Sequence, residues 1–334
     1  MGSKQRGKNT RTILLFSLLA LFLFVLSLSS GSTFISPIDV LYHLLGLGNG
    51  EYDFTINTLR LPRVLLAFLV GAALGVAGLI LQGVVRNPLA APDIIGITSG
   101  ASVGAILFVV YLMGSVSFQW LPFAALFTAG ISTLIIYLLA WNKGVTPMRL
   151  ILIGIGMAAG MKAVVTMLIV LSDTVVTSKA YLWLTGSLYG ANWQDVSLMT
   201  PWVVVFIPLA LLFSRTLSVM ELGDQAAMGL GVRVQLSRFL LLAISVALAG
   251  SAVAFAGGIE FVGLIAPHIS RMLIGRSNRG LIVLTSLVGA SMVMLADLIA
   301  RTAFLPLDIP AGVFTAGIGA PYFIYLLYKN RNLA

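Results

Sequence analysis

Long apolar blocks make up most of the sequence, and short segments rich in charged residues, glycine and proline separate them. The blocks lack the alternation of half-buried strands, and most approach the roughly 20 residues that an α-helix needs to cross a bilayer. The pattern therefore predicts an all-α polytopic membrane protein with about ten transmembrane helices. They fall near residues 13–28, 62–84, 94–113, 121–141, 150–171, 196–213, 239–256, 259–274, 281–300 and 311–328.

The composition supports this prediction. Of the 334 residues, 59% are hydrophobic and only 9% are charged, whereas soluble domains carry about 25% charged residues. No polar stretch is long enough for a soluble domain, so we expect one membrane domain over 1–334 and neither a soluble enzyme nor a nucleic-acid binder. The first helix, 12–31, is expected to be retained, because its exit at 29–32 lacks the Ala-x-Ala pattern of signal-peptide cleavage sites.

The 20 lysines and arginines outnumber the 11 aspartates and glutamates, giving a net charge of +9. Ten alternating crossings place most cations at one set of helix ends, which the positive-inside rule assigns to the cytoplasm together with both termini. These cations are Lys4, Arg6, Lys8, Arg11, Arg86, Lys143, Arg149, Arg215, Arg233, Arg238, Arg271, Arg276, Arg279, Lys329 and Arg331. The exceptions at the outer ends are Arg60, Arg63, Lys179 and Arg301, and Lys162 lies inside the fifth span.

Three connecting features are expected to matter for packing and contacts. A short helix over 179–189 should lie at the outer surface, and an amphipathic helix over 217–228, ended by Gly229 and Gly231, should lie at the cytoplasmic side. The second helix suits docking on a cytoplasmic protein, with a solvated connector as the alternative. Small-xxx-small pairs at 71/75, 100/104 and 156/160 are expected to pack helices within one subunit. A broken helix near Pro267 is a further possibility.

Motifs for chemistry are scarce. The two histidines, His43 and His268, are far apart, and the chain has no cysteine, so we predict no metal site, cofactor or catalytic residue. The mid-span charges are Lys162 and Asp297, and Asp297 can pair with Arg301 one turn away. Ion-coupled carriers need charges at this depth, and two give such a carrier little support.

Two groups of motifs are specific enough to suggest a family. The first is LRLPR at 59–63, GAAL at 71–74, RNPLA at 86–90 and SGA at 99–101; the second is GxIxFVGLIxPHxxR at 257–271, DxxxR at 297–301, IPxG at 309–312 and IGxP at 318–321. Together they resemble the iron-chelate (siderophore) and cobalamin permease family of ATP-binding-cassette (ABC) importers, the FecCD type. Ser277 and Asn278 depart from the family pattern, where Asp-His is common, and a consequence for loop packing is expected.

The resemblance implies an inverted-repeat (type II) fold. A first repeat over 61–171 and a second over 237–328 flank a sixth helix, 196–213, and a cytoplasmic coupling loop, 214–236. It also implies a second permease subunit, identical or paralogous, two ABC ATPase subunits, an extracytoplasmic substrate-binding protein and a ferric siderophore as cargo. Spans five and ten would line the pathway at the subunit interface.

Site residues follow from the same resemblance. Binding-protein docking is implied for Arg60, Arg63 and Arg301, with local pairing as the alternative. ATPase coupling is implied for Glu221, Gly223, Asp224, Ala227, Gly229, Leu230 and Gly231. Two other functions stay open: cobalamin or haem import by the same architecture, and an ion-coupled secondary transporter.

Overall fold

A computed structural model describes residues 3–48, 50–275 and 278–329; Arg276, Ser277 and Arg331 of the predictions lie outside these ranges. The described chain is all-helical and contains no β-strand. The helices are α1 Ser3–Ser29, α2 Pro37–Leu44, α3 Leu61–Val85, α4 Ile97–Leu107, α5 Leu121–Leu139, α6 Pro147–Val170, α7 Thr174–Thr185, α8 Trp193–Leu212, α9 Ser214–Met220, α10 Asp224–Gly229, α11 Val234–Ala256, α12 Val262–Ile274, α13 Asn278–Thr302 and α14 Ala311–Lys329.

Each of the ten predicted spans corresponds to an apolar helix. Seven are long and apolar enough to cross a membrane, and three are shorter: Ile97–Leu112, Val262–Ile274 and Ala311–Tyr325. Two of these, α4 and α12, begin later than predicted because Gly96 (φ +71°) and Phe261 (φ +66°) adopt the left-handed conformation, which interrupts a helix. Pro267 lies inside α12 and does not break it.

Helix α3 forms the centre of the bundle and is buried along almost its whole length. It runs antiparallel to α13, and a Cβ at Gly71 would overlap the backbone of Gly289. A Cβ at Gly78 would likewise overlap Gly263 of α12, and the Ser245 hydroxyl of α11 donates to the Ala77 carbonyl over 3.0 Å. Small residues therefore bring the backbones of α3, α11, α12 and α13 into close contact. Such contacts matter because van der Waals packing, and not a hydrophobic driving force, holds helices together within a membrane.

Two of the three small-residue pairs behave as predicted. The pair at 71/75 faces α13, and the pair at 100/104 faces Ser132 and Thr128 of α5 in the same chain. For the pair at 156/160 on α6 the prediction is wrong, because both glycines face open space. Helix α6 turns this side away from its own subunit.

The bundle has two ends, which we name by their charged residues. The arginine end carries Arg60, Arg63 and Arg301 with α2 and α7; the Asp224 end carries α9 and α10. At the arginine end the short helix begins at 174 instead of 179, because Asp173 caps it by accepting from the Val176 amide over 3.0 Å, and it ends at Gly186 (φ +83°).

The predicted helix over 217–228 is wrong as a single element. Helices α9 and α10 are separated at Gly223, whose φ of +110° is a conformation that other residues rarely adopt. Seven and six residues long, the two helices form a compact turn at the Asp224 end.

Candidate functional sites at the two ends of the bundle

The arginine end contains a buried ionic network centred on Arg63, at the start of α3. Its Nε donates to Asp297 Oδ1 over 2.9 Å, and its two terminal nitrogens donate to the Asp308 carboxylate over 2.6 and 2.9 Å. Asp297 also pairs with Arg301 Nε at 3.6 Å, as the i,i+4 spacing predicts. One arginine thus joins α3, α13 and the segment that leads into α14.

The other two arginines fasten the end of α1 to the bundle. Arg60 donates to the carbonyls of Leu28 and Ser29 over 2.6 and 2.9 Å and to the Thr33 hydroxyl over 3.2 Å. Arg301 donates to the Ser27 carbonyl. The last carbonyls of a helix have no partner within that helix and favour cations, so these two residues cap α1.

The structure brings the three predicted docking arginines together but buries them. Arg60, Arg63 and Arg301 are 5%, 9% and 8% exposed, and each has partners within the chain. Local pairing therefore accounts for the positions of Arg63 and Arg301: Arg63 pairs with Asp297 and Asp308, and Arg301 pairs with Asp297. Docking by these residues stays a prediction.

At the other end, Asp224 is held by two arginines from different helices. Arg238 of α11 donates to both carboxylate oxygens over 2.8 and 2.9 Å, and Arg86, at the end of α3, lies 3.3 Å away. Arg238 is buried and also donates to the Val145 carbonyl, just before α6. The first residue of α10 is thus fixed to α3 and α11, and Arg238 connects it to the segment before α6.

Glu221 makes a second connection, between the turn that follows α9 and α12. It lies 3.7 Å from Arg271, which also donates to the side chain of Gln82 on α3. Gln82 in turn donates to the Leu264 carbonyl over 3.3 Å. Sequence reasoning identified Glu221 and Asp224 but missed their partners Arg86, Arg238 and Arg271, although the arginine of the RNPLA motif was a usable signal.

Three large apolar side chains project from this anchored turn. Leu222, Met228 and Leu230 are 62%, 58% and 63% exposed, while Ala227 beneath them is fully buried. Gly229 and Gly231 are exposed beside them, and Gly231 has a φ of +79°. We call Leu222, Met228 and Leu230 the apolar cluster; such a surface suits insertion into a groove of another protein.

The described residues contain no group of three or more His, Cys, Asp or Glu side chains placed to hold a metal ion. His43 contacts Asp53 and Asn57, each at 3.2 Å. Both ring nitrogens thus have protein partners near the surface of the arginine end. The geometry thus consists of a buried ionic network at the arginine end and an anchored, exposed apolar cluster at the Asp224 end.

Comparison with known proteins agrees with this architecture. The model of the FecCD transport family matches residues 18–329, nearly the whole chain. The chain belongs to the FecCD transport family. The family resemblance predicted from the motifs is therefore confirmed, and the protein is a multi-pass membrane permease subunit.

Relatives of this FecCD permease match it almost end to end. The achromobactin transport system permease protein of Dickeya dadantii is 47% identical, covering 94% of this chain and 90% of its own length. The Fe(3+) dicitrate transport system permease protein of Escherichia coli is 44% identical, covering 84% and 87%. The iron(3+)-hydroxamate import system permease protein of Bacillus subtilis is 43% identical, covering 93% and 95%.

A solved structure shares the fold. An inward-facing metal-chelate type ABC transporter aligns with a TM-score of 0.84 and 32% identity, over 96% of this chain and 99% of the other. The predicted fold class, that of an ABC importer permease, is confirmed by this match.

Proposed function

We propose that this permease is one of two membrane subunits of an ABC importer that carries a ferric siderophore inward across the bacterial cytoplasmic membrane. The relatives named for achromobactin, ferric dicitrate and ferric hydroxamate support a chelated iron cargo. The observation that carries the proposal is the apolar cluster at the Asp224 end, exposed on a turn that is fixed to the central helices.

Separate ATPase subunits bind this turn and supply the energy. The segment 214–236 then acts as the coupling loop, with Glu221, Gly223, Asp224, Ala227, Gly229, Leu230 and Gly231 as its working residues. The apolar cluster inserts into a groove of the ATPase. When the ATPase moves, the ion pairs of Asp224 with Arg86 and Arg238 transmit that movement to α3 and α11. Packed helices respond to such displacement as rigid bodies.

In the proposed topology both termini and the Asp224 end face the cytoplasm, and the arginine end faces outward. An extracytoplasmic binding protein docks there. The three arginines and the two aspartates of the network leave one positive charge in excess, which attracts carboxylates on an incoming protein. Because every arginine has an intrachain partner, docking through them requires an exchange of partners. Arg63 and Arg301 pair with carboxylates, whereas the partners of Arg60 are neutral oxygens.

The docking proposal has a direct test. Arg60→Gln should raise the dissociation constant of the binding protein, measured against the permease in nanodiscs, and should weaken its dependence on salt. Lys179→Gln, which removes an exposed cation at the same end, is the matched control. Equal effects of the two substitutions would assign the attraction to general charge and not to Arg60.

The importer is tested as an assembled complex in proteoliposomes loaded with ATP. Uptake of ⁵⁵Fe-labelled chelates should require the binding protein, the ATPase and this permease together. Accumulation by this chain alone on a proton or sodium gradient would instead establish the secondary-carrier alternative. Uptake of cobalamin or haem, without uptake of any ferric chelate, would support an ABC importer with a different cargo.

A further inference from the structure

Lys162 is a charged residue in the middle of an apolar helix. It lies eight residues before the end of α6, which at 1.5 Å per residue is about 12 Å inside the arginine end. Its side chain is exposed, and its neighbours at i−3 and i+4, Ala159 and Thr166, are exposed as well. This side of α6 therefore presents small and polar groups around a cation, unlike a surface that faces lipid.

Glu260 occupies a similar depth on another element. It lies in the short linker between α11 and α12, and its side chain is exposed. Helix α12 has 13 residues and spans about 20 Å of a hydrocarbon layer about 30 Å thick, so its first turn starts well below the surface of the arginine end. Phe261, the next residue, packs against Gly319 of α14, which holds the linker inside the bundle.

The two charges act on each other without forming an ion pair. Glu260 lies within electrostatic range of Lys162 and also of Asp93, in the helical turn before α4. Within the described residues, neither Lys162 nor Glu260 has an oppositely charged atom within 4.0 Å. Both charged groups therefore remain available to a third group.

Ionised side chains at this depth are costly against lipid and lie instead on water-filled or protein-lined surfaces. Two exposed groups of opposite sign, on separate elements and within electrostatic range of each other, indicate an aqueous passage beside them. Electrostatic interactions are stronger in such a passage than in bulk water, because its walls have a low dielectric constant.

We propose that Lys162 and Glu260 set the charge preference of the transport pathway. Lys162 attracts an anionic ferric chelate, and Glu260 opposes it and favours neutral or cationic chelates. The inference rests on the proposed function, since it requires a chelate to pass this face. It concerns selectivity after delivery, and the preference of the binding protein is the same in every permease variant.

The test compares Lys162→Met and Glu260→Gln in the complete importer. Uptake is measured for two ⁵⁵Fe probes, anionic ferric citrate and a neutral ferric trihydroxamate, each supplied with a binding protein that delivers it. Lys162→Met should lower the ratio of citrate to hydroxamate uptake by about tenfold, and Glu260→Gln should raise it. Lys162→Arg should keep the ratio within about twofold, since the charge is retained. Lys143→Met, which removes an exposed cation at the Asp224 end, should leave the ratio unchanged.

Three results would decide against the inference. Equal changes for both probes in Lys162→Met would show a structural effect on all cargo. If the wild-type importer takes up only the neutral probe, Lys162 does not favour anionic chelates. Failure of the wild-type complex to import any ferric chelate would overturn the proposed function itself, and this result is distinct from altered selectivity in the variants.

Discussion

Arg63 and Asp297 lie 234 residues apart in sequence and are joined by hydrogen bonds of 2.9 and 3.1 Å at the arginine end. The pair sets the antiparallel register of α3 and α13, in which Gly71 meets Gly289 and Gly75 meets Thr285 farther along the same helices. A charged contact at one end and small-residue contacts below it thus specify one alignment. Polar contacts of this kind can select a register among alternatives that are similarly apolar.

Removal of one partner from this network should destabilise the fold. Asp297→Ala leaves Arg301 without its carboxylate and Arg63 with Asp308 alone, and an uncompensated buried charge costs about 3–5 kcal/mol. We expect a clear fall in thermal unfolding temperature in detergent. The double variant Arg63→Met/Asp297→Leu should lose less stability than the sum of its two single variants, because either substitution alone already breaks the pair. Additive losses in the double variant would contradict a direct pair.

Glycine substitutions separate buried from open helix faces. Gly71→Ala should destabilise the protein by about 1–3 kcal/mol, because its Cβ would overlap the backbone of α13. Gly156→Ala should change the unfolding temperature little, because nothing lies within 4 Å of its Cβ position. Thermal unfolding monitored by tryptophan fluorescence checks both. A large loss of stability in Gly156→Ala would show that a partner covers this face of α6.

The apolar cluster should determine ATPase affinity. Leu230→Ser removes an exposed leucine whose burial in a groove contributes about 1.5–3 kcal/mol, so the dissociation constant should rise about ten- to hundredfold. This dissociation constant is measured by titrating the purified ATPase against the permease in nanodiscs. Leu47→Ser, at a leucine that is 69% exposed at the arginine end, is the matched control and should have no effect. Unchanged affinity in Leu230→Ser would place the ATPase contact elsewhere.

Asp224 should affect the coupling of ATP hydrolysis to transport more than the binding of the ATPase. Asp224→Asn weakens the attachment of α10 to Arg86 and Arg238, and changes in such connecting residues alter coupling by about 0.5–2 kcal/mol. Chelate uptake per ATP hydrolysed should fall severalfold while the ATPase still binds. Asp53→Asn, at an exposed carboxylate of the other end, is the control. Loss of ATPase binding in Asp224→Asn would indicate a contact residue instead.

The absence of cysteine makes the topology simple to test. Single variants Leu47→Cys and Leu222→Cys place one thiol at each end, both at exposed positions. In intact cells an impermeant maleimide should label Leu47→Cys and leave Leu222→Cys unlabelled until the membrane is opened. The reverse pattern would invert the proposed orientation, and labelling of both in intact cells would contradict a membrane between the two ends.

The sequence by itself determined the fold class, the approximate positions of the ten apolar spans and the family. An apolar segment that crosses lipid must form its backbone hydrogen bonds within itself, and it does so as an α-helix. The length of such a segment is a local property that does not depend on its packing partners. The family motifs are likewise read directly along the chain. The pair of Asp297 with Arg301 was predictable for the same reason, because both residues lie one turn apart on one helix.

The tertiary structure decided where the charged residues find partners. Arg63 reaches Asp297 and Asp308, and Asp224 reaches Arg86, through contacts between segments that are far apart in the chain, so no local pattern identifies them. The break at Gly223 and the open face of α6 also depend on what packs nearby. Which surfaces a membrane helix buries is set by its neighbours, because lipid and protein interiors are similarly apolar and the hydrophobic pattern cannot distinguish them.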